Sequence, residues 1–199
     1  MTTRILTVCG SLQRVSANRS ALAVAHRFLA GIAEVDDYAD LRLLPPFNPD
    51  LEPNDSVIDW RTRVASADAV VLASPEYAGA IAGTLKNALD WIVGSGELYA
   101  KPVAVMSAGT GGGVHARHML IQTLTWQGAH VVAELGISAP RTKSDAQGVI
   151  TDGPTMAAIE TLCTALWRAP LLSAHERLTL TRTVVSSAGV DIGHVAPLV

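Results

Sequence analysis

Four short apolar runs constrain this chain more than any other feature: ILTVC at 5–9, AVVLAS at 69–74, VAVMSA at 103–108 and HVVAEL at 130–135. Each is built from Val, Ile, Leu or Ala without strict alternation of apolar and polar positions. That is the pattern of a strand covered on both faces, as in a parallel sheet. A fifth segment, AEVDDY at 33–38, is a weaker strand candidate. Helical periodicity fills the gaps. Leu22, Ala25, Phe28, Leu29 and Ile32 fall on one face, with Gly31 near the helix end, and Leu85, Ala88, Leu89 and Ile92 do the same before Gly94. Met119, Leu120 and Leu124 mark a third helix ended by Gly128. Met156, Ile159, Cys163 and Leu166 mark a fourth, opened by Pro154 and closed before Pro170. Strands alternating with helices imply right-handed crossovers and a doubly wound α/β sheet.

The 199 residues suit one domain, placed at 1–170. The stretch 171–199 has no evident place in the sheet. It could wrap the surface, swap onto a neighbouring subunit or stay mobile. Residues 45–56 carry four prolines and read as an irregular loop. Hydrophobic residues make up 49% of the chain and charged residues 17%, enough apolar material for one large core and unlike a disordered chain. A net charge of −3 with no basic stripe argues against nucleic-acid partners. Cys9 and Cys163 are the only cysteines, which is no disulfide framework and fits a reducing compartment. The N-terminus reads as a first strand rather than a signal peptide, and no apolar stretch reaches the roughly 18 residues a membrane span needs. The expectation is a soluble cytoplasmic protein with no membrane partner.

Ligands of doubly wound sheets bind beyond the carboxyl ends of the strands, at the switch point. Three loops rich in Gly, Ser, Asn or Pro leave those ends here, at 10–18, 75–83 and 108–114. In the first, Gly10 to Asn18 joins a strand to a helix. Free N–H groups at a helix N-terminus favour an anion, and Ser11, Ser16, Asn18 and Arg14 add donors and charge. A simple capping role for Ser16 or Asn18 is the competing reading. The loop has neither the Gly-Lys-Ser/Thr of a nucleoside-triphosphate loop nor partner glycines for GxGxxG. Cys9 and Arg14 bracket four residues, one short of the cysteine-phosphatase spacing, and Cys9 ends an apolar strand. A buried, inert thiol is expected there.

In the second loop, Pro75 and Gly79 bend the chain and set Glu76 and Tyr77 at the sheet edge. Tyr77 and the backbone of 76–79 suit a planar heterocycle. A plain turn, with Lys86 and Asp90 as a surface pair, is the alternative. In the third, Ser107 to Gly113 lets backbone approach a ligand closely, although a flexible linker has similar composition. His115 and His118 lie three apart without further metal ligands at suitable spacing, so no metal site is expected. Trp60, Trp91, Trp126 and Trp167 read as core or interface residues.

Residues 10–18, GSLQRVSAN, and 75–91, PEYAGAIAGTLKNALDW, together resemble the NADPH-dependent FMN reductase family, whose corresponding motifs are G-S-x-R-x-x-S-x-N and P-E-Y-N-G-S-I-P-G-x-L-K-N-A-I-D-W. The similarity spans about residues 4–168. It implies a flavodoxin-like fold, a five-stranded parallel sheet of order 2-1-3-4-5 with helices on both faces. It also implies FMN as cofactor and NADPH or NADH as co-substrate. The implied phosphate contacts come from Ser11, Ser16 and Asn18, and Gln13, Arg14 and Ala17 of the same loop are implied among the cofactor-binding residues. Pro75, Glu76, Tyr77, Ala78 and Gly79 would meet the isoalloxazine and ribityl. Ser107, Ala108, Gly109, Gly111 and Gly112 would form the third wall.

The implied reaction is hydride transfer from NAD(P)H through flavin N5 to a flavin, quinone or similar acceptor, with ping-pong kinetics and no obligate catalytic side chain. The implied assembly is a homodimer or homotetramer. Three departures stand out. Gln13 occupies the family's Arg position with Arg14 one place later, Ala78 replaces Asn, and Ala80 and Ala82 replace Ser and Pro. Two other classes stay open at this point: an FMN electron carrier or partner subunit without NAD(P)H turnover, and a module that has lost its flavin.

Overall fold

The computed structural model describes residues 2–191, 193 and 195; the remaining residues, including His194 and the end of the 171–199 stretch, lie outside the described set. Five strands form the central sheet: β1 (Arg4–Cys9), β2 (Glu34–Tyr38), β3 (Ala69–Ala73), β4 (Pro102–Gly109) and β5 (His130–Ser138). Every pairing is parallel and the spatial order is β2-β1-β3-β4-β5. The four apolar runs are the four strands β1, β3, β4 and β5, and all five residues of β3 are buried.

Alternation within these runs feeds two separate cores. Leu6, Val8, Leu72, Val103 and Val105 point to one face, and Ile5, Val71, Ala104 and Met106 to the other. On the second face lie α1 (Ala17–Leu29) and α5 (Gly153–Arg168). The first face is covered by α2 (Asp55–Ser66), α3 (Gly83–Asp90), α4 (Val114–Trp126) and α6 (Ala174–Ser187). Covering both faces is what makes the continuous apolar runs tenable.

Several local expectations change. Helix α1 ends at Leu29, and Ile32 is exposed rather than part of its apolar face. The irregular loop stops at Asn54, whose side chain accepts from Val57 N–H at 3.1 Å and opens α2. The sequence pattern at 55–66 is thin because only Val57, Trp60 and Val64 of that helix are buried. Trp126 is exposed, whereas Trp60 and Trp91 are buried. Downstream, Ser173 and Glu176 form a reciprocal capping box that starts α6. Leu178 and Val185 of α6 then join the core. Arg177 of that helix donates to His130 Nδ1 at 3.4 Å.

The second half of the PEYAGAIAGTLKNALDW motif has a structural task. Asn87 Nδ2 and Trp91 Nε1 both donate to the Pro45 carbonyl, at 2.9 and 2.8 Å, while Asn87 Oδ1 accepts from Phe47 N–H at 2.7 Å. Phe47 also stacks edge-on against Trp91, at 5.1 Å between ring centres. These contacts pin the proline-rich loop to α3.

Candidate functional site

Because β1, β3 and β4 are neighbours in the sheet, the loops that leave their carboxyl ends emerge side by side. β2 lies on the far side of β1, so the first loop sits at the point where the winding reverses, the usual ligand site of such sheets.

The three loops are tied to one another by named hydrogen bonds. Gly10 N–H donates to the Ala73 carbonyl at 2.8 Å, and the Thr84 hydroxyl donates to the Gly10 carbonyl at 2.9 Å. A Cβ at residue 10 would lie 3.1 Å from the Leu85 side chain, a contact that Leu85 would have to yield to by a few tenths of an ångström. Asn18 is buried and grips the third loop twice: its Nδ2 donates to the Ala108 carbonyl at 3.0 Å and its Oδ1 accepts from Ala108 N–H at 2.9 Å. The second loop reaches the third through Glu76, whose Oε2 accepts from the N–H groups of His115 at 2.9 Å and Ala116 at 3.1 Å.

The first loop leaves a helix end open. Ser16 occupies the N-cap of α1 with extended backbone (φ −133°, ψ 132°), yet its hydroxyl makes no cap hydrogen bond. The first-turn N–H groups have no intrahelical acceptor and follow a loop in which residues Ser11 and Ser16 are buried and the Ser11 hydroxyl accepts from Gln13 N–H at 3.3 Å. This donor set matches a phosphate. Among the described residues Arg14 is exposed and makes no hydrogen bond or ion pair. Arg19 is the cation that touches the loop, its guanidinium donating to the Ser11 carbonyl at 3.4 Å. The signal for Arg19 in the sequence is its place in the first turn of the helix that follows the loop.

The second loop is a miniature hairpin, Glu76–Tyr77 paired antiparallel with Ala80–Ile81. Ala78 and Gly79 at its tip both have positive φ, 51° and 75°, as a tight two-residue hairpin turn of the primed type requires. Tyr77, Ala78 and Gly79 are exposed and Pro75 is buried. Ser74 secures the base, its hydroxyl accepting from Ala82 N–H at 3.1 Å. Tyr77 thus presents a ring beside exposed backbone.

In the third loop Gly109 is half-buried, Gly111 is exposed, and Ala108 and Gly112 are buried. Ser107 lies fully buried beneath Gly113, and its hydroxyl has no hydrogen-bond partner among the described residues. A brace fixes this loop from behind: Arg117 Nε donates to the Gly112 carbonyl at 3.1 Å, and Arg117 also pairs with Glu134 of β5. A Cβ at residue 136 would lie 2.8 Å from the Gly112 carbonyl oxygen, so β5 needs glycine where the brace passes. His115 is exposed and His118 half-buried on α4.

Of the sequence-derived residues, then, Gln13, Arg14, Tyr77, Ala78, Gly79 and Gly111 stand on the surface of an open shelf, with Ala17, Glu76 and Gly109 partly exposed. Ser11, Ser16, Asn18, Pro75, Ser107, Ala108 and Gly112 form its floor and joints. Burial pushes the Cys9 thiol pKa up, which disfavours the thiolate a nucleophile needs. A separate groove of about 490 Å³ beside α1 is lined by Thr7, Cys9, Arg19, His26 and Asp37, away from the second and third loops.

A doubly wound parallel sheet of this strand order, with an uncapped helix at its switch point, defines a flavodoxin-like fold. Comparison with known proteins narrows this. Residues 3–143 match the sequence profile of the NADPH-dependent FMN reductase family, and the chain belongs to that family. A probable NADPH:quinone oxidoreductase of Oryza sativa subsp. japonica is 35% identical over 164 residues, covering 75% of this chain and 82% of the relative. An NAD(P)H-dependent FMN reductase of Pseudomonas aeruginosa is 33% identical over 158 residues, covering 75% and 85%. Among solved structures, the flavoenzyme NAD(P)H:(acceptor) oxidoreductase FerB of Paracoccus denitrificans superposes with a TM-score of 0.74 at 27% identity, covering 83% of this chain and 95% of that one. The family is one of oxidoreductases that use FMN with NAD(P)H. No helix among the described residues is long and apolar enough to cross a membrane.

Proposed function

We propose that this protein is an FMN-dependent NAD(P)H oxidoreductase that reduces a quinone, a free flavin or a similar small acceptor. The observation that carries the reading is the open N-terminus of α1, where Ser16 stands in the cap position without capping. A hydroxyl left unused there, beside Ser11 and first-turn N–H groups, suits a bound phosphate. When bound, FMN supplies hydride acceptance at N5 and return of the electrons to an acceptor, in two half-reactions of the ping-pong kind.

The chain's own residues bind and orient. Ser11, Ser16 and the backbone of 17–19 hold the phosphate, and Arg19 adds positive charge beside the loop. Tyr77 and the 76–79 backbone flank the ring on one side and Gly109–Gly112 on the other. The exposed hairpin tip leaves one face of the shelf accessible, which suits successive binding of a nicotinamide and an acceptor. No side chain on the shelf is required to carry a proton. The relatives support the quinone and flavin acceptors. The family resemblance supports a cytoplasmic homodimer or homotetramer.

The test is anaerobic. FMN-loaded protein mixed with NADPH or NADH should lose its oxidised-flavin absorbance within seconds and regain it on adding a quinone. Protein that binds FMN but is not bleached by either nucleotide is an electron carrier, and the reductase reading fails. Protein that takes up no FMN overturns the flavin reading itself.

A further inference from the structure

Helix α4 begins immediately after the third loop and lacks a cap of its own. Its N-cap is Gly113, at φ 62° and ψ 45°. A larger residue cannot stand there, because a Cβ would lie 1.8 Å from the Ser107 hydroxyl oxygen. The acceptor that the first turn needs comes instead from Glu76, through the two hydrogen bonds to His115 and Ala116 N–H. A carboxylate at this end also meets the positive pole of the helix. The cap therefore spans 39 and 40 residues of sequence and fastens the hairpin to the start of α4. Arg117, one residue further on, holds the Gly112 carbonyl. The second and third loops are by this route a single wall.

From this geometry we infer that Glu76 is a positioning residue for the flavin ring: its carboxylate acts through α4 to hold Gly109–Gly113 in register with Tyr77, and does not itself bind the cofactor. The inference rests on the flavin reading above and deepens it. The wall faces the ring and not the phosphate, so Glu76 should govern affinity for FMN and for riboflavin alike. The cradle of Ser11 and Ser16 should govern only FMN.

The experiment compares wild type, Glu76→Ala and Glu76→Gln, each as apoprotein titrated with FMN and with riboflavin, with visible circular dichroism of the bound flavin. Loss of a helix cap corresponds to about a five- to tenfold change in an equilibrium that depends on it. Glu76→Ala should weaken FMN and riboflavin by the same factor, about five- to tenfold, and alter the flavin's visible dichroism. Glu76→Gln keeps an amide oxygen as acceptor and should restore both readouts to within about twofold of wild type.

Unchanged affinities and spectrum in a folded Glu76→Ala protein would overturn the inference and leave the contact a matter of stability alone. A Glu76→Gln protein as defective as Glu76→Ala would overturn it too, since charge and not capping would then be at work. Wild-type protein that binds neither flavin defeats the underlying reading, and that outcome is read before either variant is made.

Discussion

Two helices begin at the same edge of the sheet and end their first turns in opposite ways. Helix α1 has a good capping residue, Ser16, and does not use it; α4 has none, Gly113, and is capped from a distant loop by Glu76. Outside the three loops the rule is ordinary self-capping: Asn54 caps α2, Asp152 caps α5 and Ser173 caps α6. A local rule broken where the chain had the residue to obey it marks a place kept open for something else. A local rule satisfied from far away marks scaffold. Physically, α1 leaves its positive end without a side-chain cap, as the proposed phosphate site requires, and α4 has its positive end neutralised by the protein.

The difference can be broken most forcefully at Ser16. Ser16→Asp places a better cap and a negative charge in the cradle. Stability should hold or rise by up to about 1 kcal/mol. FMN affinity should fall about a hundredfold or more from repulsion of the phosphate, with riboflavin affinity little changed. Parallel thermal melts and flavin titrations check both halves; a variant that binds FMN normally removes the phosphate from α1.

Next in size is Asn18, whose side chain is hydrogen-bonded at both its amide nitrogen and its oxygen to the Ala108 backbone. Asn18→Ala strands the buried Ala108 N–H and carbonyl and should lower unfolding free energy by about 2–3 kcal/mol in urea denaturation. A loss under about 0.5 kcal/mol would show that the two bonds to Ala108 do not hold the loops together.

Smaller still is the hairpin tip. Ala78 sits at φ 51°, a left-handed conformation that costs a residue with a Cβ about 1–2 kcal/mol. Ala78→Gly relieves that strain while adding entropy to the unfolded chain, so a net gain of about 0.5 kcal/mol is expected, read as a rise in Tm. The family's Asn at this position has a physical reading in the same terms, since Asn tolerates this region better than Ala.

The smallest effect, and a control at the opposite end of the sheet, concerns His130. Its pKa is lowered by burial and then by the nearby Arg177 charge. A group protonated more readily unfolded than folded stabilises the fold above its unfolded pKa of about 6.5 and loses that contribution as pH falls below it. Stability should therefore decline from pH 7.5 to 5.5, and His130→Gln should flatten the decline without changing FMN affinity.

The sheet was legible because strands buried on both faces read as uninterrupted apolar runs. β2 was faint because it is an edge strand whose Asp36 and Asp37 serve Arg63 and Thr7, at 2.7 and 2.8 Å, rather than a core. Helix α2 was lost behind the prolines because it buries only three side chains. Helix α6 carried a readable start in Ser173 and Glu176, but its buried residues Leu178, Thr181 and Val185 are diluted by exposed threonines and serines. At the site, the loops and their order along the edge were readable from Gly, Ser and Pro placement. What could not be read was which loop residues stay exposed and which bond to one another. Asn18 reaches Ala108 across 90 residues and Glu76 reaches α4 across about 40, and such partners follow from strand order rather than local pattern.

The most direct measurement compares FMN with riboflavin on the wild-type apoprotein by fluorescence titration. The ligands differ only by the phosphate, so the ratio of their dissociation constants reports what the open end of α1 contributes. Hydrogen bonds to a charged group lead to an expected preference for FMN of about a hundredfold. Equal affinity for the two would contradict a phosphate cradle at α1.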